Sequence, residues 1–275
     1  MRTIPGHVRL ATADPRRFAL GAALLLGAAA LACGGEGSSH LGARGGTPAA
    51  LEEHFQRGVE LARQGLDEGA EAEFRRCVAL DPGDARSHLH LGRALASQAA
   101  RSGSTPREAA AEIQKAVELA PGGLEARVDL AEILRQRFYN LYDPNRAVEL
   151  YEGVLRDNPD LADVRLRYAS WLGAGDVRLT ISGKSGRVTM DSAWTMEAAR
   201  RHVERLIDQV SPESGQAAAA HRLMAIVLMR SGQWPESVRE CDLLLGRFPD
   251  LPAERRAEVL GIKGHGQYRQ GLYAE

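Results

Sequence analysis

The amino-acid sequence indicates an all-α protein, an α-solenoid of stacked helix pairs, with one small β-hairpin near residues 177–190. Alanine, leucine, arginine and glutamate dominate the 275 residues and aromatic residues make up only 5%, a composition that favours helix. A pattern of small and large apolar residues returns about every 34 residues. Proline-containing turns, such as ALDPGD (79–84) and RFPDL (247–251), close successive copies of this pattern.

Residues 1–32 have the pattern of a secretory signal peptide. Four arginines precede the uncharged apolar run ALGAALLLGAAALA (19–32), and a positive start before a short apolar core is typical of such signals. The run is shorter than the ~20 apolar residues that a membrane-spanning helix needs. We therefore expect this segment to direct export and then to be removed.

The end of this segment, Ala30-Leu31-Ala32-Cys33, resembles the lipobox of bacterial lipoproteins. That resemblance implies that Cys33 is lipidated and becomes the new N-terminus, and Gly34 after it favours the outer membrane. Leucine lies one place later than usual, so Ala30 and Ala32 also suit ordinary signal peptidase. Residues 33–49 are rich in glycine and serine and predict a flexible tether.

Residues 50–275 form the predicted repeat domain, and its first copy, residues 51–84, shows the pattern best. Gly58 on the first helix and Ala70 on the second would let the two helices approach closely. Phe74 would fill the space between repeats. A proline near the end of the copy would stop the second helix.

The same spacing recurs along the chain and resembles the tetratricopeptide repeat (TPR), a helix-turn-helix unit. The resemblance implies an α-solenoid that binds other proteins. The last copy stops at Glu275, where its second helix should run, so we expect a fragment of a longer chain, with a frayed end as the alternative. The further copies occupy residues 85–123, 124–161, 162–213 and 218–251, with an incomplete sixth at 257–275.

The stretch DVRLTISGKSGRVTMD (176–191) reads as two alternating strands around a turn, inserted between the helices of the fourth copy. The second and third copies carry extra residues at the same place, so we expect these insertions to build one rim. The apolar face of the hairpin could dock on the protein's own helices or on a partner. The hairpin rim comprises Val177, Leu179, Ile181, Lys184, Val188 and Met190.

In TPR proteins, the second, fifth, ninth and twelfth places of each first helix line a concave groove. Here they make a partly apolar surface with scattered arginines, suited to a segment of another protein. The alternative for single members is packing against neighbouring repeats. The predicted groove residues are Phe55, Val59, Leu89, Arg93, Val128, Glu132, Arg135, Leu166, Arg222, Ile226 and Met229.

The sequence gives little support for nucleic-acid binding, metal binding, phosphate binding or catalysis. The formal net charge is −1, from 35 basic and 36 acidic residues, which offers no basic field for nucleic acid. His88 and His90 do not share a helix face, so we expect no metal site. Gly183-Lys184-Ser185 lacks the earlier glycine and the following helix of a phosphate-binding loop. We expect no catalytic site, cofactor or small-molecule substrate.

Two further cysteines, Cys77 and Cys241, fall on the inward faces of predicted helices. They are expected to be small core residues. A disulfide between them is the alternative in an exported chain. They lie several repeats apart, however, and distant repeats of a solenoid do not touch.

Together these features predict a protein-interaction scaffold of the bacterial cell envelope that is lipid-anchored and faces the periplasm. A secreted or soluble periplasmic protein is the alternative location. The alternative function is a TPR recruiting or regulatory module of a longer exported protein, with any catalytic domain beyond Glu275.

Overall fold

The computed structural model describes residues 47–137, 139–175, 179–183, 186–190 and 192–271, and the structural statements below refer to these residues. The signal peptide, Cys33 and most of the predicted tether lie outside them. The helices are α1 (Pro48–Arg63), α2 (Asp67–Leu80), α3 (Ala85–Ser102), α4 (Arg107–Leu119), α5 (Leu124–Leu134), α6 (Pro144–Asp157), α7 (Ala162–Gly173), α8 (Ser192–Gln209), α9 (Gly215–Arg230), α10 (Trp234–Arg247) and α11 (Ala253–Arg269).

Local signals set the ends of these helices. Side-chain oxygens at several N-caps accept hydrogen bonds from backbone N–H groups in the first turn, which satisfies donors that a helix leaves unpaired. Gly65 and Gly232 adopt positive φ angles of 75° in the turns after α1 and α9, a conformation that glycine adopts without strain. The capping residues are Thr47, Asp84, Asp143 and Ser214.

Consecutive helices pack against one another throughout the described part of the chain, and α1 contacts α3 as α9 contacts α11. The predicted α-solenoid is confirmed. Two glycines on first helices allow the close pairing that the sequence predicts. A Cβ atom at Gly58 would lie 2.7 Å from Cε1 of Phe74, and one at Gly92 would overlap the side chain of Ile113.

The largest cluster of buried residues extends from α4 to α9. At its centre the rings of Tyr151 and Tyr168 stack with centroids 4.9 Å apart. Cys77 and Cys241 are both fully buried and free, so they are core thiols, as predicted. Burial raises the pKa of Cys77, and it raises the pKa of Cys241 to about 11.

Between α7 and α8, strands β1 (Leu179–Gly183) and β2 (Gly186–Met190) pair antiparallel. Leu179 lies opposite Met190, and Gly183 lies opposite Gly186. The backbone of β1 approaches α6 and that of β2 approaches α8. The side chains of the hairpin rim fall outside the described part of the structure, so their role stays a prediction.

No helix among the described residues has the length and apolar character needed to cross a bilayer.

Candidate protein-binding groove

The predicted groove residues lie on α1, α3, α5, α7 and α9, with Arg135 directly after α5. Phe55 and Val128 are buried, with 7% and 6% of their surface exposed, and belong to the core. The other nine are half-buried. The accessible apolar surface of the groove therefore comes from Val59, Leu89, Leu166, Ile226 and Met229.

Arg93 on α3 is bound by two carboxylates of the next first helix, α5. Its Nε lies 2.6 Å from Oδ2 of Asp129, and its Nη2 lies 2.8 Å from Oε2 of Glu125. These ion pairs link α3 to α5. They also leave Arg93 with little charge to offer a ligand.

Glu132 and Arg135 are tied to each other and to the core. Arg135 Nε lies 2.6 Å from Oε2 of Glu132, and the Tyr151 hydroxyl donates to Oε1 of Glu132 at 2.7 Å. Burial, together with the Glu132 charge, raises the pKa of Tyr151 well above its usual value. The hydroxyl therefore remains a donor and holds Glu132 in place.

At the other end of the described array, Arg222 on α9 forms an equivalent link to α11. Its Nη1 lies 2.7 Å from Oε1 of Glu258, and Nη1 of Arg255 lies 3.3 Å from Oε2 of the same carboxylate. Ile226 and Met229 pack over the small core formed by α9, α10 and α11. Every predicted groove arginine is thus paired with a carboxylate.

An aromatic cluster that the sequence did not reveal lies at the α1 end of the array. The His90 ring contacts Phe55 edge-on at 5.0 Å between centroids and lies 5.3 Å from the Phe74 ring. The Arg86 guanidinium lies 4.8 Å from the Phe55 ring centre, a cation–π contact. Burial, with a smaller effect of the Arg93 charge, lowers the pKa of His90.

Three further histidines join the two helices of a repeat. In three repeats, a histidine on the first helix lies beside a glutamate on the second. His88 also faces the carbonyl oxygen of Pro82 at 3.1 Å through Nε2. The three pairs are His54–Glu73 at 2.6 Å, His88–Glu112 at 2.6 Å and His221–Glu240 at 2.9 Å.

A buried polar network joins α6, α7 and α8. Arg165 is only 1% exposed and donates to Gln209 Oε1 at 3.0 Å and to the Pro159 carbonyl at 2.5 Å. Its Nη1 lies 3.3 Å from Nδ1 of His202, and Nε2 of His202 lies 3.1 Å from Glu152. Because arginine only donates, Nδ1 of His202 accepts and Nε2–H donates. That bond lowers the pKa of Glu152.

The fold is that of known TPR proteins. No family model matches the sequence, and no curated protein matches it. A solved TPR protein from Parabacteroides merdae is similar, with a TM-score of 0.59, 15% identity, and coverage of 82% of this chain and 75% of that one.

Two further solved structures share the fold. The MamA protein has a TM-score of 0.56 and 16% identity, with coverage of 73% of this chain and 92% of that one. YrrB, described as a TPR protein with an unusual peptide-binding site, has a TM-score of 0.56 and 15% identity, with 78% and 96% coverage. At these identities the similarity establishes the fold, an α-solenoid of TPR type.

Proposed function

We propose that this chain is a protein-interaction scaffold that holds a segment of a partner protein in its concave groove. The observation that carries the proposal is the series of half-buried apolar residues on successive first helices, Val59, Leu89, Leu166, Ile226 and Met229. An extended or helical segment laid across them buries apolar surface on both sides. YrrB, a TPR protein with an unusual peptide-binding site, is consistent with such a use of this fold.

The ion pairs of the groove arginines determine which contacts contribute most to the binding energy of a partner segment. Arg93, Arg135 and Arg222 each have a carboxylate partner within 2.8 Å. At Arg93 and Arg135 a ligand carboxylate would have to displace that partner, so it would gain little energy, whereas Arg222 shares the Glu258 carboxylate with Arg255. Apolar anchors, at about 25 cal/mol for each Å² buried, therefore supply most of the binding energy.

The location follows from the N-terminal segment. Export by residues 1–32 and lipidation at Cys33 would tether the repeats to a bacterial envelope membrane, facing the periplasm. Each buried methylene of an acyl chain contributes about 0.8 kcal/mol, so two or more chains hold a protein firmly. Cleavage by ordinary signal peptidase would instead give a soluble periplasmic or secreted protein.

A crosslinking pull-down from envelope membranes tests the scaffold role. The groove variant Leu89→Glu/Met229→Glu places charge on two half-buried positions. The matched control Leu119→Glu/Leu243→Glu changes two exposed leucines on second helices, 37% and 40% exposed. We expect recovery of the crosslinked partner to fall about tenfold, 1.4 kcal/mol, for the groove variant alone. Equal recovery from folded samples of both variants would contradict the proposal.

The hairpin rim is proposed as a second contact with the partner. Replacing residues 177–190 by a short Gly-Ser loop should leave the helical circular dichroism signal intact and reduce partner recovery. Loss of helical signal would make the hairpin a structural element of the solenoid. Unchanged recovery would remove the rim from the binding surface.

A further inference from the structure

A small cavity of about 240 Å³ lies between α9 and α11. The accessible part of its wall includes Ala219, Leu251 and Pro252, whereas Leu244 and Val259, which also line it, are almost fully buried. The cavity is smaller than the ~300–1,000 Å³ typical of sites for drug-sized molecules. Its size and its apolar wall suit a single large side chain.

The charges beside this cavity are unequal. Arg222 and Arg255 both line it, and both pair with the one carboxylate of Glu258. Two guanidinium groups thus share one negative charge. An adjoining cavity of about 530 Å³ is lined by Arg247, Glu213 and Asp250, one positive and two negative side chains. The excess of positive side chains is therefore found at the smaller cavity and not at the adjoining one.

The cavity adjoins the groove residues of α9. Arg222 is both a groove residue and part of the cavity wall, and Ile226 lies one helical turn farther along α9, with Met229 nearly one turn beyond it. A segment lying over Ile226 and Met229 can therefore place one side chain between α9 and α11.

We propose that this α9–α11 pocket receives one leucine, methionine or phenylalanine side chain of the partner segment, with an aspartate or glutamate next to it. The apolar side chain packs against Ala219, Leu251 and Pro252, which line the cavity and keep accessible surface. The carboxylate next to it meets the charge that Glu258 leaves uncompensated on Arg222 and Arg255. This inference rests on the proposed groove function and specifies the chemistry of its ligand.

The test uses random dodecapeptides displayed on phage, selected on the full chain and then resynthesised with a fluorescent label. We expect the selected peptides to share a large apolar residue adjacent to an acidic one. Replacing either residue of that pair by alanine should weaken binding about tenfold. Selected peptides without the pair would overturn the inference.

Variants of the chain locate the binding site of these peptides. Ala219→Trp should block the pocket, because Ala219 lines it and is half-buried, and Arg255→Glu should repel the acidic residue. Both should weaken binding about tenfold. The controls are Ala111→Trp, at an exposed site on α4, and Arg239→Glu, which breaks an exposed i,i+3 pair like that of Arg255.

The groove variant Leu89→Glu/Met229→Glu distinguishes failure of the proposed groove function from failure of the α9–α11 pocket. Peptides that lose affinity for the groove variant but not for Ala219→Trp would leave the groove function standing and overturn the pocket. Peptides insensitive to both changes, or a selection that yields no binders, would overturn both. Circular dichroism of each variant confirms that it is folded.

Discussion

Gly92 lies where α3 and α4 pack most closely, and Gly92→Leu tests the register of the helix pairs. A Cβ atom there would overlap Ile113 Cγ1 and lie 3.0 Å from the backbone oxygen of Ala109. The side chain can move but the helix backbone resists, so the pair must separate. Overpacking of this kind costs about 1–3 kcal/mol.

The size of the effect follows from two opposing contributions. Leucine favours helix over glycine by about 1 kcal/mol, which offsets part of an overpacking cost near 3 kcal/mol. The net loss is therefore about 2 kcal/mol. For a domain of this size, 1 kcal/mol shifts the melting temperature by about 2–4 °C, so we expect a decrease of about 4–8 °C by thermal circular dichroism.

Gly264 provides the control. It lies within α11, and a Cβ atom at this position would meet no atom within 4 Å. Gly264→Leu should leave the melting temperature unchanged or slightly raised. Equal shifts for the two leucine variants would refute the packing explanation.

A double-mutant cycle identifies the contact itself. Ile113→Ala removes the side chain that meets the added leucine, at its own cost of about 2–5 kcal/mol. Because the two residues touch, the combined loss should be smaller than the sum of the single losses by at least ~0.5 kcal/mol. Additive losses would mean that Ile113 does not face Gly92.

Three further predictions concern single side chains. The pKa of His90 is lowered in the folded state, so the unfolded chain binds the proton at a higher pH. The free energy of unfolding should therefore fall as the pH drops below the unfolded pKa of about 6.5. Urea unfolding of His90→Phe should show a shallower fall, and an equal fall would contradict this. Cys33→Ser should move the protein from the membrane to the soluble fraction, whereas a soluble wild type with an unmodified N-terminus would favour ordinary signal peptidase. In Cys33→Ser protein, Cys77 and Cys241 should react with iodoacetamide only after unfolding, because burial raises both pKa values; rapid labelling of folded protein would contradict their core position.

Local sequence patterns predict much of the fold. Gly58 and Phe74 could be assigned to a close helix pair because a small residue on one helix and a large one on the next need only correct spacing. The caps at Asp84 and Ser214 are similarly local, since each bonds to an N–H three residues ahead.

The groove shows what such patterns leave out. The spacing places Arg93 and Arg222 on the groove, but their partners Asp129 and Glu258 lie on the next first helix, about 36 residues away. Ion pairing between repeats depends on how the helices stack, which no spacing within one repeat specifies. Phe55 was assigned to the groove yet lies in the core, because neighbouring side chains cover it.

The α9–α11 pocket is even harder to predict from the sequence than the groove ion pairs. It depends on a gap between α9 and α11 and on the contact of Arg222 with Glu258, 36 residues away, which forms only when these helices pack. In the sequence, Arg255 reads as one more charge at the start of a surface helix.

Site-specific photocrosslinking shows whether a partner segment lies in the groove. A photoreactive phenylalanine analogue would replace Leu89 or Met229 in the groove, or Leu119 or Leu243 on second helices, in protein expressed in its native host. We expect one partner to be crosslinked from both groove positions, through the same short segment on mass spectrometry, and no such product from Leu119 or Leu243. Crosslinks of equal yield from all four positions, or from the second helices alone, would contradict it.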